Sequence, residues 1–184
     1  MRIREATKED FDEIARLTLD AYRALDTWVG DEYAGHLADV ESRAQAENTF
    51  VLVAEDDLPN PAAVTAAVVA GAGAPHAPER RLLGSVTLTI GGGPYFEWDP
   101  DVDGDCGFRM LAVDPAVQGR GVGPRLVAEC LERARAAGCR RMVIGSTGWM
   151  TTAHRIYERL GFRRAPENDQ MWGDIRGLCF ILDL

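Results

Sequence analysis

Residues 112–131 read AVDPAVQGRGVGPRLVAECL. Gly119, Gly121 and Gly123 stand at alternate positions ahead of Leu126, Val127, Cys130, Leu131 and Ala134, which are spaced as one face of a helix. Glycine gives up more backbone freedom on folding than any other residue, so a plain turn uses one or two. Three at alternate positions imply main chain that lies close to something else. Successive N–H groups at the start of a helix, freed of side chains, form a nest for phosphate oxygens, and the helix dipole adds to the attraction. Pro124 is expected at the first helical position, where its missing N–H costs nothing, and Arg120 and Arg125 can add charge. Two common phosphate loops are excluded by spelling. The dinucleotide fingerprint needs glycine where Pro124 stands, and no lysine follows the glycines as a Walker loop requires. A strand-to-helix turn that uses glycine only for geometry is the plain alternative.

Outward from this segment the chain alternates strands and helices. RIREA at 2–6 reads as a first strand, and Thr7 with Asp10 as a capping box that opens a helix carrying Phe11, Ile14, Ala15 and Leu17 to Leu19. A weaker helix is expected over about 31–47, then the strand TFVLVAED at 49–56, apolar enough to be covered on both faces. Residues 57–80 are rich in Pro, Gly and Ala and read as a long loop insertion or a weak hairpin. LLGSVTLTI at 82–90 resumes the sheet, GGGPYFEWDPDVDGD at 91–105 is a loop, and CGFRMLAV at 106–113 runs into the glycine segment. Gly138 stands where a left-handed cap would close the following helix. RRMVIGS at 140–146, a helix over about 151–160, a short strand near 170–172 and LCFILDL at 178–184 complete the pattern. The order is that of an α/β domain with a mixed sheet.

With 184 residues, 46% hydrophobic and 27% charged, the composition is that of an ordinary globular protein. A net charge of -9 argues against a general nucleic-acid binder, which needs a basic face. Cys106, Cys130, Cys139 and Cys179 form no CxxC pair and have no histidine at ligand spacing, so no metal site is expected and buried thiols in a reducing cytoplasm are. Neither a signal peptide nor a stretch long enough to span a membrane is evident, so no membrane partner is expected.

The spelling Q-x-x-G-x-G at Gln118, Gly121 and Gly123, behind LAVDP, resembles the pyrophosphate loop of the GCN5-related N-acetyltransferase (GNAT) family, and RIYERLGF at 155–162 resembles that family's tyrosine-bearing helix. The resemblance covers nearly the whole chain and implies one GNAT-like domain over 1–184: a mixed, mostly antiparallel central sheet flanked by helices, with strands four and five splayed. It implies direct acetyl transfer from acetyl-CoA to a primary amine of a small molecule or protein, a cytoplasmic location and a possible homodimer. Tyr157 matches the tyrosine that protonates the departing thiolate, a task open to a phenol with an ordinary pKa of about 10. Leu111, Ala112 and Val113 would pair with the pantetheine arm, and Gln118, Gly119, Arg120, Gly121, Val122, Gly123 and Pro124 would hold the pyrophosphate. Gly121 and Gly123 hold the motif positions, whereas Gly119 is a variable one. Met150 departs from the family, which often has asparagine there; Thr151 or Ser146 can compensate. Asp105 is the candidate general base, with Glu97 behind it.

Trp28, Tyr33, Tyr95, Trp98 and Trp149 are candidates for an acceptor cleft, because binding residues concentrate in loops. His154 reads as an exposed first-turn histidine. The acidic total suits cationic acceptors such as polyamines, aminoglycosides or protein amino termini. A sensor that keeps acyl-CoA without turnover is the competing reading, and a nucleotide-binding protein is a third.

Overall fold

The computed structural model describes residues 1–25, 30–59, 80–96 and 105–184. One eight-stranded sheet runs in the order β1 (Arg2–Glu5), β2 (Thr49–Pro59), β3 (Arg80–Ile90), β4 (Asp105–Val113), β5 (Arg141–Thr147), β8 (Ile175–Asp183) and β6 (Arg163–Arg164), with β7 (Gln170–Trp172) also paired to β8. Every pairing is antiparallel except that of β4 with β5. The expected strand order and mostly antiparallel sheet are therefore present. Both ends of the 57–80 segment are strand, with Pro59 paired to Arg80; residues 60–79 lie outside the described residues.

Helices cover both faces. The helix α1 (Phe11–Arg23) sets Ile14 and Leu17 against Val51, Val53, Leu82 and Ala112. On the other face α4 (Val122–Ala136) and α5 (Thr151–Arg159) bury Leu126, Val127, Cys130 and Ile156 against Leu52, Leu88, Phe108 and Met142. The alternation of Val51 and Val53 with Leu52 and Ala54 puts apolar side chains on both sides of β2, which explains its unbroken apolar run. The helix expected over 31–47 is instead two, α2 (Asp31–Ala38) and α3 (Val40–Gln45). Asp39 divides them, since its carboxylate accepts the Ser42 N–H at 3.1 Å and caps α3. All four cysteines are buried and free, and burial pushes the Cys179 thiol up to about 11. Among the described residues no helix is long and apolar enough to cross a membrane.

Near the start of the chain the expected capping pair is part of a larger network. The buried Asp10 carboxylate accepts the Thr7 N–H at 2.7 Å and the Thr7 hydroxyl at 3.1 Å, and it receives Arg4 at 2.6 and 3.0 Å. Arg4 Nε also reaches Glu55 on β2 at 2.8 Å. Burial pushes the Asp10 carboxyl up, but Arg4 and Thr7 outweigh it and hold the group below the usual carboxylate range.

The parallel ladder between β4 and β5 has only two pairs, Asp105↔Arg141 and Cys106↔Met142. Beyond them the strands diverge. Gly107 stands at the point of parting, where an added Cβ would lie 2.5 Å from the Val143 carbonyl oxygen and 3.0 Å from Phe96. Three residues along, β4 has a bulge: the register with β3 shifts between Ser85 and Thr87, and Met110 takes a positive φ of 53°.

Two outcomes follow from these contacts. Gly107→Ala forces backbone apart and should cost roughly 1–3 kcal/mol, read as a lower urea midpoint at unchanged slope. Asp10→Asn should cost roughly 1.5–3 kcal/mol near neutral pH, the scale of hydrogen bonds to charged groups. Because the folded pKa of Asp10 is depressed, its contribution is complete above the unfolded value of about 3.9 and is lost as pH falls through the folded value. The wild-type advantage over Asp10→Asn in acid unfolding should therefore shrink only below about pH 4.

Candidate active site

The parting of β4 and β5 opens a cavity of about 330 Å³. Phe108 to Leu111 of β4 form one side and Gly145 to Thr147 of β5 the other. Tyr157 and Ala153 of α5 close the floor beside Met150, and Tyr22 of α1, Tyr33 of α2, Trp149, Trp172 and Ile175 form the opposite wall. The bulge at Met110 turns that side chain toward Tyr22 and Leu37, with Tyr33 and Met150 packed alongside. Trp172 reaches the wall by lying across β8, where a Cβ on Gly177 would come within 2.7 Å of its indole.

At the far end of β4 the chain turns through Asp114, whose carboxylate accepts the Ala116 N–H at 2.8 Å and Arg81 at 2.6 Å. Gln118, Gly119, Arg120 and Gly121 follow on the surface. Gly119 and Gly121 both have φ of +79°, the left-handed region, and Gly121 is the residue from which α4 starts. Gly123 is different: it is buried in the first turn of α4, where a Cβ would lie 3.1 Å from Ile156. Its small size sets the approach of α4 to α5. Pro124 is at the third helical position rather than the first, because Val122 and Gly123 precede it in the helix. It still costs nothing, since the first-turn N–H groups have no partner within a helix. The first-turn N–H groups of Val122 and Gly123 have no partner within the helix, and two left-handed glycines precede them at the far end of β4.

Tyr157 is buried, with its ring 5.8 Å from those of Phe108 and Phe162 and 5.4 Å from Phe180. This packing fixes the ring at the cavity floor. His154 is not the exposed residue expected from its place in the helix. It is half-buried, 4.9 Å from the Phe180 ring, and its Nε2 lies 3.0 Å from the hydroxyl of Ser146, itself a buried cavity residue. Burial, with Arg164, holds the imidazole below its ordinary pKa against the opposing Thr147 backbone and Glu158.

Asp105 is elsewhere. It opens β4 with 2% exposure, bound to Arg141 at 2.7 Å across the closed end of the wedge, five residues from Met110 or roughly 16 Å along an extended strand. Its carboxylate clamps the two strands and does not line the cavity. Glu97, Trp28 and Trp98 lie outside the described residues. Of the aromatic candidates, Tyr33 and Trp149 line the cavity, whereas Tyr95 stacks on His36 at 5.7 Å beside it. Tyr22, Arg109 and Trp172 are cavity residues that the sequence pattern did not single out. Arg109 had a visible signal, a charge inside the apolar strand FRMLAV.

Comparison with known proteins agrees with this fold. The chain is 34% identical over 61 residues to N-acetylaspartate synthetase of Danio rerio, a segment covering 33% of this chain and 22% of that protein. The chain spans 22% and 44% of the curated relatives it matches. A ribosomal-protein-alanine N-acetyltransferase from Brucella melitensis superposes with a TM-score of 0.65 at 19% identity, covering all of both chains. A GNAT family acetyltransferase from Brucella melitensis in complex with acetyl-CoA superposes with a TM-score of 0.57 at 26% identity, covering 100% of this chain and 90% of that one. The sequence model of the Acetyltransferase (GNAT) family matches residues 12–162, which include the parted strands, the glycine turn and the tyrosine helix. With most of its length and its central wedge accounted for in this way, the chain belongs to the GNAT acetyltransferase family.

Proposed function

We propose that this chain transfers an acetyl group from acetyl-CoA directly to a primary amine, at the wedge between β4 and β5. The observation that supports it most is the alignment of three features along one strand: the cradle at the start of α4, the β4 edge that has left β5, and Tyr157 at the cavity floor. Gln118, Gly119, Arg120, Gly121, Val122, Gly123 and Pro124 would hold the pyrophosphate, with N–H groups as donors and Arg120 and Arg125 as exposed charge. Main-chain groups of Leu111, Ala112 and Val113 would pair with the pantetheine amides, as a missing strand would. When bound, acetyl-CoA supplies an activated thioester.

The chain's own residues then have separable tasks. A main-chain N–H of the β4 edge polarises the acyl carbonyl where negative charge develops. Tyr157 keeps a hydroxyl proton for the departing thiolate, in a setting that excludes water through Phe108, Phe162 and Phe180. Met150 contributes apolar surface where a polar contact would otherwise be made, and Ser146, oriented by His154, is the nearby hydroxyl. No carboxylate lines the cavity among the described residues.

Tyr157→Phe should lower kcat for coenzyme A release by about 10²-fold or more while leaving acetyl-CoA affinity nearly unchanged. Tight coenzyme binding with no release on any amine in wild type would identify a sensor instead. Gly121→Glu should lose acetyl-CoA binding by at least about 100-fold in calorimetry, at a cost of only about 1–2 kcal/mol in stability for a side chain in left-handed backbone. Normal affinity in that variant removes the cradle from the account.

A further inference from the structure

We propose that the proton set free when an amine is acetylated leaves the cavity through the hydroxyl of Ser146 to the imidazole of His154. The step rests on the transfer reading above and deepens it, because it fills a task that Tyr157 leaves open. An ammonium acylated by a thioester yields an amide, a thiol and one surplus proton. Tyr157 serves the sulfur, so the surplus needs its own exit.

Among the described residues, the cavity wall holds no group suited to take it. Its titratable side chains there are Tyr22, Tyr33, Tyr157 and Arg109, and phenols and guanidinium groups ordinarily keep their protons well above neutral pH. Ser146 connects the wall to a better acceptor. It is 3% exposed and lines the cavity, and its Oγ lies 3.0 Å from His154 Nε2. Alternation along β5 puts Ser146 on the side of the sheet that holds Met142 and Ile144, and Tyr157 packs in that same cluster. The rings of His154 and Tyr157 are 6.3 Å apart. The imidazole therefore stands one hydrogen bond behind the wall. The other described histidine, His36, meets the rings of Tyr33 and Tyr95 at 6.1 and 5.7 Å instead.

His154 is fitted to pass a proton on as well as to take one. Part of the residue meets solvent, and histidine is the side chain whose ordinary charge change lies between pH 5 and 8. Burial and Arg164 of β6 favour the ring without an added proton, whereas the Thr147 main chain and Glu158 favour the charged ring. Tyr157 and Phe180 of β8 complete its surroundings with aromatic rings. A serine hydroxyl both donates and accepts, so it can receive one proton while it gives up another. One N–H bond of the ammonium breaks as an O–H bond forms on Ser146; the serine's own O–H bond breaks as an N–H bond forms at Nε2, and the ring releases a proton to water. The second proton that the nitrogen loses balances the one gained by the thiolate.

The test uses the full chain with acetyl-CoA and three amines: spermidine, kanamycin and a peptide with an amino-terminal alanine. For each amine accepted, kcat should fall as pH drops through the ring's pKa, below 6.5, because the protonated ring can take nothing more. Glutamine can keep a hydrogen bond to Ser146 but cannot take its proton. His154→Gln should therefore lower kcat by about 10²-fold and abolish that acid limb, with acetyl-CoA affinity unchanged in calorimetry, and Ser146→Ala should do the same. A His154→Gln variant that keeps the wild-type rate and limb overturns the path and leaves the transfer reading standing. No release from any of the three amines in wild type overturns the transfer reading, and the path with it. A measurement without turnover follows the His154 ring signal, the one lost in His154→Gln, by NMR against pH. Its midpoint should move by roughly 0.5 in Ser146→Ala, the scale of one hydrogen bond. An unmoved midpoint overturns the path.

Discussion

Two ladder pairs hold β4 to β5, and the site exists because there is no third. Parallel strands that remain paired bury their edges in one another and leave no room between them. Here the ion pair of Asp105 with Arg141 fixes the closed end, Gly107 lets the main chains touch once more, and the divergence after it opens an edge and a cavity together. The bulge at Met110 adds to the bend and carries its own strain, since a bulky residue at φ of 53° costs about 1–3 kcal/mol. The surrounding packing of Tyr22 and Leu37 holds it in place. Backbone unpaired by the sheet is costly when buried, so such an edge is a place prepared for a partner with amides of its own.

What could be read from the chain was what is local along it. Apolar periodicity placed α1 and α4, the glycine spelling marked the turn into α4, and Thr7 with Asp10 marked a helix start. What could not be read depends on pairing between distant residues. Asp105 is a candidate base by its place near the fourth strand, and its ion pair with Arg141, 36 residues away, depends on a register visible only once β4 and β5 are laid side by side. Tyr22 and Trp172 are 150 positions apart in sequence numbering and meet across one cavity. Asp39 was an ordinary acid in a weak helical pattern until its bond to the Ser42 N–H showed it to be a cap.

Charge teaches the same lesson at another scale. A sum over the chain describes the mean field outside the protein, which fades beyond the screening length of about 8 Å at physiological salt. Inside the wedge, the relevant charges are the few that face it. Arg43, buried beside the wedge without lining it, is held by carbonyls at the end of α2, where the dipole favours a cation, so its charge is compensated without an acid. His154 shows the complementary case, a titratable ring whose pKa burial lowers, within reach of Ser146.

The three-residue strand β7 has a further consequence. It is tethered to the sheet only through β8, it carries Trp172 into the cavity, and its neighbour Met171 stands 64% exposed on the outside. None of the residues assigned to the coenzyme lies on β7, α1 or α2. On the proposed function, the two substrates would fall on separately editable parts, one half that holds the acetyl donor and a short hairpin that shapes the space beside it. Exchange of that hairpin is a small evolutionary step with a large effect on what the site admits, and the machinery for activating the acetyl group would pass through it untouched.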